Sequence, residues 1–407
     1  MPAVVYLLAL AVFAQGTSEF MLAGLVPQIA AGLSVSVPAA GSLTSAYAVG
    51  MVVGAPAMAL LSRRWSPRAA LLAFLTAFLL AHVVAATTGS YAVLVGTRIV
   101  AALANAGFLA VALSTTAAIA GPRATGRATS VLLGGVTVAC IAGVPGGALL
   151  GQSWGWRAPF WAVALACVPA LLAIVRAVPR ATADHRSTEP TASARAELAV
   201  LRRPRLRLVL LLGALVNGAT FGAFTYLAPV VTDVAGLGKG WVPPVLALFG
   251  LGAFAGVTAG GRLADRPGLR RTLGLLTTAL LAGWVLLALL AHVAAVVVAG
   301  AGVQGTLSFA VGSALIARSL AAAGDRAPRL AGAYATAAMN MGAAAGPWLA
   351  GAAIAAGAGY RSPLWVSAAL VAAAAVVTLS SLILEKARNR SDIPGGDSAV
   401  TPRSTRG

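Results

Sequence analysis

The stretch AVVYLLALAVFAQGTSEFMLAGLV, residues 3–26, decides the fold class. It contains one charged side chain, Glu19, and it is longer than the ~20 apolar residues that a helix needs to cross a bilayer. Only Met1 and Pro2 precede it, and neither a basic segment nor a convincing small-residue cleavage site accompanies it. We therefore expect a retained membrane helix rather than a cleaved signal peptide.

Eleven further apolar runs follow and give a prediction of twelve membrane spans. They cover residues 39–61, 69–88, 91–119, 128–150, 158–178, 207–229, 242–264, 272–292, 293–320, 330–357 and 362–384. The 407 residues are 59% hydrophobic and 10% charged, whereas a soluble domain contains roughly 45–50% and 25%. The composition therefore excludes a string of soluble domains and predicts an all-α integral membrane protein in contact with the lipid bilayer.

The basic residues indicate the orientation of these spans. Of the 29 lysines and arginines, 25 fall in loops or termini on one predicted side, 3 fall on the other, and Arg98 lies inside a span. The positive-inside rule then predicts a cell-membrane protein with both termini in the cytoplasm. The net charge of +19 does not predict a nucleic-acid partner, because the basic residues are not interleaved with aromatic residues on one face.

An internal duplication divides the chain into two halves. A shift of 202 residues brings shared proline and glycine positions together: Pro27 with Pro229, Gly50 with Gly252, Gly54 with Gly256 and Pro145 with Pro347. We predict six-helix bundles at 1–178 and 207–384, a cytoplasmic linker at 179–206 and a disordered cytoplasmic tail at 385–407. Two parallel six-helix repeats are the layout of major facilitator transporters, whose substrate site lies between the halves.

Glu19 is the acidic residue placed well inside a span, and it shares a helical face with Gln15. A carboxylate at that depth costs ~2.5–3.5 kcal/mol on insertion scales, so it is expected to be neutral or paired. Two interpretations stay open: a proton-handling or substrate-handling group, or a permanent salt bridge between Glu19 and Arg98. Arg98 itself is either a coupling partner or a residue that holds the bundle together.

Amide side chains are concentrated in the same helix of each three-helix unit, which favours a shared central cavity. The predicted cavity residues are Gln15, Asn105, Asn217 and Gln304 in spans 1, 4, 7 and 10, with Asn340 of span 11 as an outlier. Hydrogen bonding between helices is an equal alternative for the asparagine and glutamine residues. His82 and His292 have no second ligand at metal-binding spacing, so we interpret both as interfacial packing residues, and we expect no metal or cofactor.

Several motifs resemble those of twelve-helix drug:proton antiporters of the major facilitator superfamily. The segment GTSEFMLAGLVPQIA at residues 16–30 is similar to the first-helix signature, and residues 94–107 are similar to the span 4 motif, with Arg98 at the proton-coupling arginine. Two runs, residues 98–113 and 213–221, resemble chloramphenicol-resistance exporters of actinobacteria most closely. The resemblance covers nearly all of residues 3–384.

The resemblance implies a fold of two pseudo-symmetric six-helix bundles and proton-coupled export of chloramphenicol by a monomer, with protons and a small-molecule drug as partners. Glu19 and Arg98 would couple the proton, and Gln15, Asn105, Asn217, Gln304 and Asn340 would line the drug site. Conformational residues would be Asp265 and Arg266 in the loop after span 8, and Gly143, Pro145, Gly146 and Gly147 in span 5. The first-half loop has Arg63 in place of the acid, which puts a symmetric latch in doubt.

Other function classes have weaker support from the sequence. An intramembrane enzyme would need paired aspartate clusters or an embedded Ser–His or metal-binding group, and an ATP-driven pump would need a Walker loop; neither pattern is present in the sequence. Two alternatives stay open: an exporter of another small solute such as a sugar, nucleoside or other drug, and a membrane sensor that binds ligand without moving it.

Overall fold

A computed structural model of the chain describes residues 3–62, 65–121, 124–178, 203–264, 269–323 and 330–391. Within these residues twelve helices are long and apolar enough to cross a membrane, and they are numbered here as spans 1–12. The described residues form helices and short connections, without strands. The prediction of an all-α membrane protein with twelve spans is confirmed.

The first six spans have bounds within a few residues of those predicted. Span 1 is an α-helix at Ala3–Phe20 that continues as a 3-10 turn at Met21–Gly24, and a short helix at Val26–Gly32 follows. Spans 2–4 are Val37–Leu61, Pro67–Thr87 and Tyr91–Ala120. Span 5 is built from Thr125–Val138, a π-helical segment at Ala139–Gly143, and Val144–Trp154, and span 6 is Ala158–Ala177.

The second six spans repeat this arrangement. Span 7 is Pro204–Thr225, followed by short helical segments at Leu227–Pro229 and Val230–Val234. A 3-10 turn at Lys239–Trp241 leads into span 8 at Val242–Ala264, and spans 9 and 10 are Leu269–Leu290 and Ala294–Ala323. Span 11 is Leu330–Ala353 with a π-helical end at Ile354–Ala358, and span 12 is Ser362–Ser391, which continues past the predicted tail boundary at 385.

The end of the bundle at which span 1 finishes and span 2 begins is called the distal end, and the opposite end is called the terminal end. Because the number of spans is even, span 1 begins at the terminal end and span 12 ends there. The distal end holds the connections at residues 33–36, 88–90, 155–157, 235–238, 291–293 and 359–361.

Each half encloses its own apolar core. One cluster of buried side chains is formed almost entirely by residues 4–178, and the other by residues 209–374. The exceptions mark where the halves meet: Tyr226 and Ala350 belong to the first cluster, while Ala23, Val144 and Ala148 belong to the second. The halves are therefore separately packed bodies, and they meet mainly where span 2 lies along span 11 and span 5 lies along span 8.

The described contacts between the halves run from the middle of the bundle to the distal end. The Tyr226 ring lies against Gly41 of span 2, and its hydroxyl donates to the Pro347 carbonyl at 3.2 Å. Gln152 Nε2 donates to the Lys239 carbonyl at 2.7 Å. These contacts close the distal end in this conformation.

Glycines let the crossing of spans 7 and 11 become very close. Gly218 and Gly222 of span 7 face Gly342 and Gly346 of span 11, so each helix presents two small residues four positions apart. A Cβ built on Gly346 would lie 2.7 Å from the carbonyl carbon of Gly218. Because that neighbour is backbone rather than a flexible side chain, it cannot move aside without moving the helix.

Gly346→Ala is therefore expected to destabilise the second half by roughly 1–3 kcal/mol, the usual cost of overpacking. The control is Gly312→Ala in span 10, where an added Cβ meets nothing within 4 Å. Alanine favours a helix over glycine by ~1 kcal/mol, so this control should be neutral or stabilising. The thermal midpoints of the two purified variants measure the difference, and equal midpoints would contradict the close crossing.

Candidate functional site

Arg98 of span 4 is buried, with 1% of its surface exposed, and is held by span 1. Its Nη1 donates to Ser18 Oγ at 2.9 Å, and its Nη2 donates to the Ser18 carbonyl at 2.9 Å. One serine therefore accepts from both ends of the guanidinium fork. Because arginine stays charged in proteins, these two hydrogen bonds offset part of the free-energy cost of removing its charge from water.

The side chain of Tyr47 from span 2 covers the guanidinium of Arg98. The centre of the Tyr47 ring lies 4.3 Å from Arg98 Cζ, within the range of a cation–π interaction. Asn105 of span 4 in turn fixes the tyrosine, because its Nδ2 donates to the Tyr47 hydroxyl at 2.9 Å. Tyr47 thus bridges Arg98 and Asn105, which lie seven residues apart on span 4.

Glu19 is half-buried and follows Ser18 directly in the chain. Although Arg98 binds the neighbouring residue, it forms no ion pair with Glu19 in the part of the chain that the structure describes; its charged nitrogens donate to Ser18 instead. The permanent salt bridge that the sequence left open is thus not the arrangement seen. Glu19 has a cation nearby and a carboxylate that is not paired with it.

His82 of span 3 completes this group, and its interpretation as an interfacial packing residue is wrong. Its side chain is 1% exposed and lies in the core of the first half. Its Nε2 is 2.7 Å from Ser18 Oγ, and its Nδ1 is 2.7 Å from the Phe78 carbonyl. His292, by contrast, is an exposed residue at the distal end, where its Nδ1 lies 3.0 Å from Arg361 Nη2.

The five amide residues predicted to line one cavity do not converge on one point. Asn217 donates to the Met339 carbonyl at 2.7 Å, and Gln304 donates to the Leu280 carbonyl at 3.3 Å, so both join neighbouring helices as the alternative interpretation held. Asn340 donates to Thr336 O within its own helix, and Asn105 donates to Tyr47. Gln15 differs, because it is 1% exposed and neither amide atom has a hydrogen-bond partner within the described residues.

A pocket between the halves is lined mainly by aromatic rings. Its lining includes five phenylalanines from spans 1, 7, 8 and 10: Phe20, Phe221, Phe224, Phe249 and Phe309. Phe20 and Phe221 belong to opposite halves and stack at 5.7 Å between ring centres. The pocket holds about 10 Å³ in this conformation, so the rings fill almost all of the space that they enclose.

Two of the predicted conformational residues in span 5 contact span 1. A Cβ on Gly143 would meet the side chain of Thr17, and one on Gly147 would lie 3.2 Å from Met21 Cβ. Pro145 is buried just after the π-helical segment, consistent with its missing N–H and the wider turn before it. Gly146 has open space in front of it. Asp265 and Arg266 lie outside the described residues.

Tyr47 and the phenylalanine pocket were not predicted from the sequence, and His82 was interpreted as an interfacial packing residue. The expected cavity residues came mainly from one helix in each triplet, whereas spans 2 and 3 each contribute a polar side chain to Arg98 or Ser18. The available signal was a histidine in the middle of an apolar run, which needs hydrogen-bond partners when it is buried.

Comparisons with known proteins agree with this geometry. The sequence profile of the Major Facilitator Superfamily matches residues 8–324 and 240–406, together nearly the whole chain. The chain belongs to the Major Facilitator Superfamily. It is therefore a multi-pass membrane transporter of small-molecule substrates, and the resemblance seen in the sequence motifs is confirmed.

Members of the superfamily from several bacteria are similar to this chain along most of its length. A chloramphenicol resistance protein of Streptomyces lividans is 56% identical over 93% of this chain and 95% of its own. The inner membrane transport protein YdhP of Escherichia coli K12 is 35% identical over 91% and 93%. A bacterial homologue of the human lysosomal transporter Spinster, in an inward-facing and occupied conformation, shares the fold with a TM-score of 0.75 at 18% identity, over 92% of this chain and 95% of that one.

The contacts around Arg98 predict an order of stability for two variants of this transporter. Tyr47→Phe keeps the ring over Arg98 but removes the bond to Asn105, at a cost of ~1 kcal/mol or somewhat more. Tyr47→Leu also removes the cation–π contact, worth ~2 kcal/mol when desolvated. Thermal unfolding of the purified proteins should therefore rank wild type above Tyr47→Phe and Tyr47→Phe above Tyr47→Leu. Equal losses in both variants would exclude a contribution from the ring.

Proposed function

We propose that this transporter exports chloramphenicol, or a closely related neutral aromatic drug, in exchange for protons, and so confers resistance. The observation that carries the proton half of the proposal is the unpaired carboxylate of Glu19. Among the membrane-crossing stretches of the described residues, with span 12 counted only from Ser362 to Ser381, Glu19 is the only acidic residue. A half-buried carboxyl beside a cation that is bonded elsewhere is suited to bind and release a proton as its access changes.

The identity of the substrate rests on similarity and on the pocket. The 56% identity to the resistance protein of Streptomyces lividans covers nearly both chains, which supports the same drug as substrate here. Chloramphenicol carries an aromatic nitrophenyl ring, and stacked or edge-on phenylalanines favour such a ring by ~0.5–1.5 kcal/mol for each pair beyond the area they bury. Gln15, whose amide has no partner, is the polar residue proposed to meet the drug.

Proton exchange provides enough driving force for a neutral drug. One charge that moves inward through a potential of 100 mV supplies ~2.3 kcal/mol, and the pH gradient adds to it. Because the drug itself carries no charge, both components act on the exchange. This account predicts that collapse of either component lowers export and that collapse of both abolishes it.

Movement of one half against the other would open the pocket. Phe20 and Phe221 would separate when the halves rock. Span 5 would move against span 1, because small residues, Gly143 and Gly147, form the contact and because Pro145 and the open space at Gly146 leave span 5 free to bend. Asp265 and Arg266 are proposed to stabilise one end state by contacts with charges and helix ends. The proposal also includes the predicted orientation, with the terminal end in the cytoplasm, a monomeric transporter, and six-helix units at 1–178 and 207–384.

Glu19→Gln tests the proton role. It should abolish uncoupler-sensitive export of labelled chloramphenicol from drug-sensitive cells, because an amide cannot carry the proton. The protein should remain folded in the membrane. Asp233→Asn is the matched control, since Asp233 is an exposed carboxylate at the distal end whose Oδ2 accepts from Thr232, and it should export like wild type.

Two results would overturn parts of this proposal. Full resistance in cells that make Glu19→Gln would exclude the proton role. Unchanged accumulation with the wild-type protein, once its presence in the membrane is verified, would exclude chloramphenicol and direct the search to another small solute. Binding of labelled drug without any uptake or export would instead indicate a sensor.

Phe221→Ala tests the aromatic pocket. Loss of a ring that stacks on Phe20 is expected to raise the drug concentration for half-maximal export by roughly tenfold, equivalent to ~1.4 kcal/mol, while export stays sensitive to an uncoupler. Phe254→Ala is the control, because Phe254 of span 8 is 50% exposed on the outer surface of the bundle. Equal effects in the two variants would remove the pocket from the proposal.

A further inference from the structure

The hydrogen bonds of His82 can be assigned a direction from donor and acceptor chemistry together with burial. The Phe78 carbonyl can only accept, so His82 Nδ1 must carry the proton that bonds to it. Arg98 Nη1 can only donate, so Ser18 Oγ accepts from it. Burial beside the Arg98 cation disfavours a second positive charge, so the imidazole is neutral, and its Nε2 accepts the Ser18 hydroxyl proton. The chain therefore runs in one direction from Arg98 through Ser18 to His82.

Packing holds the imidazole in the orientation that this chain needs. The ring of His82 lies 4.2 Å from the ring of Phe78 and 6.0 Å from that of Phe160, measured between centres. Ser18 is fully buried, with no exposed surface. Neither His82 nor Ser18 has room to turn towards water. The packing of the imidazole against spans 3 and 6 therefore fixes the direction of its two hydrogen bonds.

All titratable groups around this chain come from the first half. Arg98 lies on span 4, Tyr47 on span 2 and Glu19 on span 1, next to Ser18. Cys140, in the π-helical segment of span 5, lines the same pocket as Phe20, the residue after Glu19. Span 6 contributes the ring of Phe160, which does not titrate. Arg98 is thus the one cation in this group, and Glu19 is its one carboxylate.

We infer that His82 is a positioning residue for proton coupling: through Ser18 it holds Arg98 on span 1 and so keeps the Glu19 carboxylate unpaired. This inference rests on the proposed role of Glu19 as the proton carrier. Without the imidazole acceptor, the Ser18 hydroxyl loses its fixed direction and can turn its proton towards Arg98, which weakens the bond that Oγ accepts from Nη1. The nearest opposite charge is then the carboxylate of the next residue, and attraction in the poorly solvated bundle favours that pair.

His82→Phe is the principal test, because it keeps an aromatic ring against Phe78 and Phe160 while it removes both nitrogens. Infrared difference spectra of the full-length protein in lipid nanodiscs, recorded across pH, would follow protonation of Glu19 through its carboxyl band, with Glu19→Gln to assign the band. An opposite charge within ~4–6 Å favours the carboxylate by ~1–3 pH units. We expect the midpoint of the Glu19 band to move by that amount to lower pH in His82→Phe.

Four further variants separate positioning from a general loss of structure. Ser18→Ala should move the midpoint in the same direction, and the double variant His82→Phe/Ser18→Ala should move it no further, because both changes break one chain. His82→Gln keeps one hydrogen-bond donor group and one acceptor. Its Glu19 midpoint should therefore lie at least halfway back from the His82→Phe value to the wild-type value. His292→Phe removes a histidine from the distal end and should leave the midpoint unchanged.

The same proteins provide a second measurement, the pH profile of uncoupler-sensitive chloramphenicol export, whose optimum should move with the midpoint. An unchanged midpoint in both His82→Phe and Ser18→Ala overturns the inference, even if the variants are less stable. If the wild-type protein exports no chloramphenicol, the proposed substrate fails, while the infrared midpoints still decide the role of His82. If His82→Phe does not reach the membrane, Ser18→Ala and His82→Gln give the same decision.

Discussion

The burial of one arginine in an apolar bundle is the constraint on which the first half depends. A charged side chain at that depth costs ~2.5–3.5 kcal/mol on insertion scales, so its donors need fixed acceptors and its charge needs a polarisable neighbour. Span 1 supplies the acceptors through Ser18, span 2 supplies the ring of Tyr47, and span 3 supplies His82 behind the serine. The four spans are thereby joined at a single point. A small displacement of any one of them changes the surroundings of Arg98 and, with them, those of Glu19.

The two halves share a scaffold but use it for different chemistry. When the two halves are aligned so that Pro27 corresponds to Pro229, polar and ionisable residues of the first half occupy positions equivalent to aromatic residues of the second. The pairs are Glu19 with Phe221, Tyr47 with Phe249 and His82 with Trp284. Phe221 and Phe249 line the pocket between the halves, whereas their counterparts surround Arg98. Duplication has therefore left ionisable residues in one half and aromatic residues in the other, and the division is visible at equivalent positions of the helices.

The spans, their number and the repeat could be predicted from sequence because each depends on local runs of apolar residues and on glycine and proline positions. Span 5 was placed correctly, but its π-helical segment was not foreseen, since it depends on how the chain relaxes ahead of Pro145. The surroundings of Arg98 could not be predicted for a different reason. Tyr47 and His82 are separated from it by 51 and 16 residues, and only the packing of the spans shows that one covers the guanidinium while the other lies behind Ser18. For the same reason, helical periodicity placed Asn217 and Gln304 on plausible faces but could not show that their amide nitrogens donate to backbone carbonyls of neighbouring helices.

The closed distal end is held by contacts that carry no paired charges within the residues described. The contacts are a tyrosine ring against Gly41, an amide bonded to the Lys239 carbonyl, and close approach of small residues. Salt screens interactions between charges, over ~8 Å at physiological ionic strength, and these contacts contain no charge pair to screen. Ionic strength therefore has little influence on this closure. The packing that closes the distal end in this conformation is accordingly expected to persist from dilute to concentrated salt.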